Sequence, residues 1–208
     1  GIANDLYKMF HVLFGGLKGG LAIGTMFMMV AISAMNGLSV AGMAIGATIA
    51  LPEMLKRNYD KRMITGVVQA GSSLGILIPP SVVMVLYGMI ARQPVSKLWM
   101  AGILPGLLMA SLFLIYIYVR CKLQPELGPP LKKEERQVST LEKIRLLKAG
   151  IIPFLIFFFM TGLFLMGIAS LVECSAVGAF LATLAAIYKR RFNKQVLENT
   201  LKKTLGVS

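Results

Sequence analysis

Charged residues divide this chain into long apolar stretches separated by short basic segments. No Asp, Glu, Lys, Arg or His occurs within residues 19–52, 64–91 or 98–119. A surface helix of a soluble protein needs a polar face, and these stretches have none. The pattern therefore predicts an all-α integral membrane protein. Composition agrees, because 56% of the residues are hydrophobic and only 15% are charged, against about 25% charged in typical soluble domains.

Residues 19–52 predict a helical hairpin that enters the membrane and returns to the same side. A spanning helix needs about 20 apolar residues, so this stretch is too long for one helix and too short for two helices and a turn. The dipeptide Asn36-Gly37 in its middle is a strong turn signal. A cut there leaves two arms that are each too short to cross. We favour a re-entrant hairpin; the alternative is a pair of short, tilted spans.

The stretch GSSLGILIPPS, residues 71–81, predicts a break inside the next membrane segment. Proline removes an amide donor and disfavours helical geometry in the residue before it. Two adjacent prolines after a run of small residues should therefore unwind the backbone over Ser72–Ser81. This gives a discontinuous transmembrane helix within residues 64–119, followed by an uninterrupted span at 98–119. The alternative is that the prolines only shape a helix for packing.

The remaining segments follow from charge. An interfacial amphipathic helix is predicted at 1–18, a polar cytoplasmic loop at 120–148 with a short helix at 139–148, a further span at 149–171, and a basic tail. The net charge is +13, and the basic residues flank apolar runs as the positive-inside rule expects. The partner is therefore a lipid bilayer, not nucleic acid. Cys121 and Cys174 lack metal-ligand or redox spacing and are expected to be free thiols.

Broken backbone at mid-membrane is expensive unless protein or a wet cavity satisfies it. Freed carbonyls can coordinate a cation, and half-helix N-termini can face an anion. Carbonyl and hydroxyl oxygens suit Na⁺, so the pattern favours a cation-coupled secondary transporter with no cofactor and no metal other than Na⁺. An ion or solute channel is the alternative. An enzyme is disfavoured, because the spans offer no nucleophile with an acid–base partner.

The motifs GSSLGILIPPSVVMVLYGMI and LWMAGILPGLLMA resemble the large membrane subunit of the tripartite ATP-independent periplasmic (TRAP) transporters. IGATIALPEMLKRNYDKRM and GLFLMGIASLVECSAVGAF are similar to further segments of that subunit, so the resemblance covers about residues 12–188. It implies half of an inverted-repeat elevator transporter, with the second repeat starting in 149–208. A full subunit is about twice as long, so the chain is expected to be a fragment.

The resemblance also implies an activity, partners and a location. The family imports organic acid anions of the dicarboxylate, sialic acid or keto acid type, driven by sodium. A small TRAP membrane subunit and a periplasmic substrate-binding protein assist, and the protein is a multi-pass component of a bacterial or archaeal inner membrane.

Carried over by motif, a sodium site falls between the hairpin tip and the broken helix. Its expected ligands, mainly backbone oxygens, are Asn36, Gly37, Ser39, Ser73, Gly75, Leu77 and Pro80. The candidate substrate contacts are Ser39, Ser72 and Ser73. The tip NGLS departs from the family's Ser-Gly-x-Ser, and LVEC departs from its Pro-Thr-Glu-Ala. Glu173 is therefore either a candidate intramembrane acid or, as we favour, the cap of a helix N-terminus.

Overall fold

The structure, a computed structural model, describes residues 2–131, 140–188 and 192–205, and its regular elements there are all helical. The all-α prediction is confirmed for these residues. The helices are α1 Ile2–Phe14, α2 Gly20–Asn36, α3 Ser39–Lys56, α4 Lys61–Ser73, α5 Val82–Ala91, α6 Val95–Leu123, α7 Thr140–Leu165, α8 Leu171–Tyr188 and α9 Lys194–Leu205. Two 3-10 turns lie at Leu74–Ile76 and Pro125–Leu127.

The chain divides into two compact units, residues 1–154 and 155–208. In the first unit α2 is the central helix, and it packs against α1, α3 and α4. Three of its methionines, Met26, Met28 and Met29, are almost fully buried. Methionine is unbranched and flexible, so it fills the irregular gaps left where several helices cross.

One end of the first unit is held together by backbone hydrogen bonds from the segment that follows α6. Gly19 N–H donates to Gly128 O (2.8 Å), Asp60 N–H to Leu127 O (3.2 Å), and Leu131 N–H to Gly15 O (3.0 Å). The start of α2, the α3–α4 turn and the end of α6 therefore meet at this end. We call it the basic end, because its described residues include Lys18, Lys56, Arg57, Lys61, Arg62, Arg120 and Lys122.

Helix α6 runs the length of the unit from the α5–α6 turn to the basic end. Near its start, Gly102 and Gly106 lie against Leu77 and Ile78, which follow α4. Near its end, Cys121 lies against Gly19. Beside this one continuous helix, α4, the break and α5 follow one another along the same length.

Several predicted boundaries were wrong. The short helix predicted at 139–148 is not a separate element, because α7 continues from Thr140 to Leu165 without interruption. Ser139, the first residue of that predicted helix, lies outside the described residues. The helix α3 extends to Lys56 and α6 to Leu123. Charge marks where a helix meets water, and basic residues are favourable in a last turn, so a change of polarity does not end a helix.

The second unit contains the end of α7, then α8 and α9. Gly178 of α8 packs against Met160 of α7. Among the described residues, two helices are long and apolar enough to cross a membrane, Val95–Leu123 and Leu171–Tyr188.

Candidate ion-binding junction

The hairpin formed by α2 and α3 turns at Gly37. This residue has φ 65°, a left-handed conformation that glycine adopts without strain, and its N–H donates to Ser33 O at 2.8 Å. Leu38 is extended, and α3 begins at Ser39. Asn36 is the last residue of α2. The asparagine–glycine dipeptide thus ends one helix as a C-terminal cap does.

Both arms of the hairpin return to the basic end. Leu21 N–H, at the start of α2, donates to the hydroxyl oxygen of Tyr59, just after α3, at 3.3 Å. Burial raises the pKa of the Tyr59 phenol well above its usual range, so this hydroxyl stays neutral. The tip at Gly37 is therefore the far end of a structure whose two feet are tied together.

The helix break is shorter than the sequence predicted. Helix α4 continues through Ser72 and Ser73 and is followed by the 3-10 turn Leu74–Ile76. The hydroxyls of Ser72 and Ser73 donate to Gln69 O (2.9 Å) and Ala70 O (2.8 Å) in their own helix. The predicted unwinding from Ser72 was wrong. A hydroxyl that donates to a carbonyl three residues earlier is compatible with a helix. The prolines remove hydrogen bonds only from carbonyls four residues before them, which lie after Ser73.

The two prolines leave two carbonyls without their helical donors. In a continuous helix the N–H groups of residues 79 and 80 would donate to Gly75 O and Ile76 O, and proline has no N–H. Ser81 replaces one donor, because its hydroxyl donates to Ile76 O at 2.7 Å. Its hydroxyl oxygen also accepts from Met84 N–H at 3.3 Å and caps α5. The Gly75 carbonyl keeps no helical donor.

The hairpin tip and the helix break meet. Val82 N–H donates to Gly37 O at 3.1 Å. A Cβ added at Gly37 would lie 2.7 Å from Pro80 O, and one added at Gly75 would lie 2.7 Å from the Cβ of Ser33. The structure therefore brings Gly37, Gly75 and Pro80 to one junction, with Asn36 and Ser39 adjoining the tip in sequence.

Leu77, another predicted ligand, has its carbonyl on a different side. A Cβ added at Gly102 would lie 2.6 Å from Leu77 O, so this carbonyl faces α6. Ser73, which was predicted as a sodium ligand and a substrate contact, and Ser72, which was predicted as a substrate contact, have hydroxyls that already donate within α4. Their oxygens keep only acceptor capacity.

Ser33 is a residue of the junction that the sequence reading missed. Its side chain is fully buried, and its hydroxyl has no hydrogen-bond partner in the described structure. Cβ atoms added at Gly42 and Gly75 would lie 2.6 Å and 3.2 Å from this hydroxyl oxygen. The available signal was its position one turn before the tip, on the face of α2 that leads to Asn36.

Helix ends supply the electrostatics of the junction. The carbonyl ends of α2 and of the turn after α4 carry partial negative charge, and the amide ends of α3 and α5 carry partial positive charge. All four lie beside the contact of Gly37 with Val82. No Asp, Glu, Lys, Arg or His occurs within residues 64–91 or 19–52, so these backbone groups provide the charge at the junction.

The junction is also deep within the apolar length of α6. The uncharged part of α6 runs from residue 98 to 119, and Gly106 lies against Ile78 at the break. With a rise of 1.5 Å per residue, Gly106 is about 12 Å from one limit and about 20 Å from the other.

The whole chain, residues 1–208, matches the family model described as tripartite ATP-independent periplasmic transporter, DctM component. The chain belongs to the DctM family. The resemblance drawn from its sequence motifs is thereby confirmed.

Among relatives of this DctM chain, the C4-dicarboxylate TRAP transporter large permease protein DctM of Pseudomonas aeruginosa is 29% identical over 191 residues, 92% of this chain and 43% of that protein. The 2,3-diketo-L-gulonate TRAP transporter large permease protein YiaN of Escherichia coli is 28% identical over 189 residues, which are 89% of this chain and 42% of that protein. The ectoine TRAP transporter large permease protein TeaC of Halomonas elongata is 33% identical over 117 residues, which are 56% of this chain and 27% of that protein. The chain spans less than half the length of these relatives.

Membership of the DctM family places the chain in a class of membrane transport components rather than enzymes. Its two apolar helices of spanning length agree with that class. These two observations agree with the prediction of an integral membrane protein.

In this DctM chain Glu173 forms a capping box at the start of α8. Its carboxylate accepts hydrogen bonds from Ser170 N–H (2.7 Å) and the Ser170 hydroxyl (2.8 Å). Glu173 N–H in turn donates to the Ser170 hydroxyl oxygen at 3.4 Å. This reciprocal pair satisfies helix-end donors. The geometry agrees with the cap that we favour over an intramembrane acid.

Proposed function

We propose that this chain is part of the large permease of a sodium-coupled importer of an organic anion, and that its junction holds the coupling ion. The observation that carries the proposal is the contact between the hairpin tip and the helix break, where Val82 N–H donates to Gly37 O. This contact gathers interrupted backbone from two segments at one place.

Sodium is the ion that the chemistry of the junction favours. The groups available are backbone carbonyls, including that of Gly75, and the buried Ser33 hydroxyl. A buried hydroxyl without a partner costs about 1–3 kcal/mol, and an ion bound beside it offsets that cost. Neutral oxygens without a carboxylate suit a hard monovalent cation that sheds only part of its hydration shell. The remaining predicted ligands, Asn36 and Ser39, adjoin the tip.

An anionic substrate fits the other helix ends. The N-terminal turn of α3 has no side-chain cap and presents N–H groups without intrahelical partners, as anion sites do. In α5 the N–H groups of Val82 and Met84 are already bonded to Gly37 O and to the Ser81 hydroxyl, so α5 contributes mainly its dipole.

Of the predicted substrate contacts, the Ser39 hydroxyl lies at the start of α3. The hydroxyls of Ser72 and Ser73 donate within α4, so they would contact an anion only by giving up those bonds. The names of the relatives include C4-dicarboxylate, isethionate and diketo-gulonate, and also ectoine. We propose an organic acid anion, with the choice among acids left to the periplasmic binding protein.

The hairpin supplies the proposed re-entrant element. The bond from Leu21 to Tyr59 ties both of its feet at the basic end, and each arm is shorter than the roughly 20 residues of a full span. With the basic end in the cytoplasm, the hairpin enters the membrane and returns. In an elevator mechanism the hairpin and the broken helix move together and carry the junction across the membrane.

Reconstituted transport tests this function. The encoded permease, its small membrane subunit and its binding protein are placed in liposomes, and uptake of a C4-dicarboxylate is measured under inward sodium and potassium gradients of equal size. We expect accumulation with sodium and none with potassium. Accumulation that is indifferent to sodium, or single-channel currents across a planar bilayer, would contradict the proposal.

A further inference from the structure

An amphipathic groove lies between α4 and α6, away from the contact of tip and break. Its volume is about 780 Å³, within the range of about 300–1,000 Å³ typical of ligand pockets. Met63 and Val67 of α4 form one wall, Leu112 and Phe113 of α6 form the other, and Met26 of α2 also lines it. The groove lies within the first unit.

The mouth of the groove is polar and basic. Arg62, in the first turn of α4, and Arg120, in the last turn of α6, both line it and are exposed. Neither guanidinium has an ion-pair partner among the residues that the structure describes. The one acid of the mouth, Asp60, accepts hydrogen bonds from Arg62 N–H (2.9 Å) and Met63 N–H (3.1 Å). Its carboxylate thus caps α4.

Polarity is therefore sorted along the groove. Two cations lie at the basic end, and apolar side chains follow toward the middle of α6. A soluble anion would pair with the two guanidinium groups but would make no contact with the apolar walls. An apolar protein segment would cover the walls but would leave the two guanidinium groups without a counter-ion. An amphiphile with an anionic head and an apolar tail matches both parts. Basic pockets between transmembrane helices on the cytoplasmic side bind anionic lipid head groups by this combination.

We propose that this groove binds one anionic phospholipid, with its phosphate between Arg62 and Arg120 and an acyl chain along Val67 and Phe113. The lipid would hold α4, whose end forms the helix break, against α6. The inference needs only that the basic end face a lipid head-group region. It does not depend on sodium coupling, so each proposal can fail without the other.

Lipid retention by the purified, encoded permease tests the head-group contact. The protein in mild detergent is titrated with phosphatidylglycerol or phosphatidylcholine, and bound lipid is counted by native mass spectrometry. The variant Arg62→Gln/Arg120→Gln should bind phosphatidylglycerol about tenfold to thirtyfold more weakly. The matched control Lys61→Gln/Lys122→Gln removes the same charge at the same end from residues that do not line the groove, and it should bind as the parent does.

A second variant tests the acyl-chain contact without risk to the fold. Gly66 lines the groove, and a Cβ added there meets nothing within 4 Å. Gly66→Leu therefore fills the groove from α4 and favours helix. It should reduce bound phosphatidylglycerol at least fivefold, because the leucine occupies the space of the chain.

A photoreactive benzoyl-phenylalanine in place of Gly66 identifies the occupant directly. We expect cross-links to phospholipid in native membranes. Cross-links only to polypeptide would show that a protein segment fills the groove and would overturn the proposal. So would equal binding of the two lipids, equal losses in the arginine variant and its lysine control, or displacement of phosphatidylglycerol by inorganic phosphate alone.

Discussion

The neighbouring apolar runs 64–91 and 98–119 both contain proline, and only the first of them breaks. Helix α6 continues from Val95 to Leu123 through Pro105, whereas the backbone leaves helical geometry between Ile76 and Val82, around Pro79 and Pro80. A single proline removes one hydrogen bond, which a membrane helix can tolerate. The difference lies in what replaces the lost bonds.

At the break, several of the disrupted groups have specific partners. The Ser81 hydroxyl donates to Ile76 O, Val82 N–H donates to Gly37 O, and Trp99 Nε1 donates to Ser81 O at 3.3 Å. The hairpin tip and α6 thus stabilise the open backbone. A proline pair creates a lasting break where neighbouring segments supply such partners, and the oxygens left over are free to bind an ion.

The largest expected effect comes from filling the contact between the break and the hairpin. In Gly75→Val the new Cβ would lie 2.7 Å from the Cβ of Ser33, which is fixed to the backbone of α2. We expect loss of about 1–3 kcal/mol of stability and a fall of about 100-fold in sodium-driven uptake, since a displacement of about 1 Å can cost that much. Gly162→Ala, where the added Cβ meets nothing within 4 Å, is the control. Equal uptake in the two variants would contradict the junction.

A pair of proline substitutions sharpens the comparison directly. Pro79→Ala restores an N–H that can donate to Gly75 O and so competes with the ion for this carbonyl. The free energy of about one hydrogen bond then opposes sodium binding. The sodium concentration for half-maximal uptake should rise about tenfold. Pro105→Ala adds the same group to a helix that is already continuous. It should leave the sodium dependence unchanged and raise the thermal midpoint. Similar sodium curves for the two variants would show that the break has no part in sodium coupling.

A smaller effect is expected at the hairpin tip. Gly37→Ala places a Cβ 2.7 Å from Pro80 O at a residue with φ 65°. Gly167→Ala shares the left-handed backbone, with φ 70°, and meets no neighbour. Both should lose about 1–2 kcal/mol of stability, but only Gly37→Ala should also weaken sodium-dependent uptake, by about fivefold. Parallel losses of uptake in both variants would mean that backbone strain alone explains the tip.

The smallest expected effect is at the cap of α5. Ser81→Ala removes the donor to Ile76 O and the acceptor for Met84 N–H. A lost helix cap costs about 0.5–2 kcal/mol, so the thermal midpoint should fall by a few degrees while sodium selectivity over potassium is kept. Ser111→Ala in α6 removes a hydroxyl bonded only within its own helix, to Leu107 O; it should change little. Equal thermal midpoints for Ser81→Ala and Ser111→Ala would show that the Ser81 hydroxyl does not stabilise the break.

Backbone chemistry that is local in sequence could be predicted. The turn at Asn36-Gly37 and the end of helix before Pro79 follow from the conformations that glycine and proline allow. Segment ends that were inferred from charge were placed wrongly, as at the start of α7, because solvation and helix geometry change at different residues. The hydroxyl bonds of Ser72 and Ser73 also kept α4 intact longer than the string of small residues suggested.

Tertiary features were beyond the sequence. Ser33 looked like an ordinary small residue of α2, and only the approach of Gly42 and Gly75 shows that its hydroxyl is enclosed without a partner. The carbonyl of Leu77 could not be assigned to α6 rather than to the tip before Gly102 was seen against it. Direction of a carbonyl depends on packing between helices, which a pattern of residue types does not determine.

The central claim is that the meeting of hairpin tip and helix break holds a sodium ion. Equilibrium binding of radioactive sodium to the purified, encoded permease, with potassium as competitor, tests it most directly. The account predicts saturable binding that potassium does not displace, that Gly75→Val abolishes, and that Gly162→Ala preserves. Absence of saturable sodium binding in the parent protein, or unchanged binding in Gly75→Val, would contradict it.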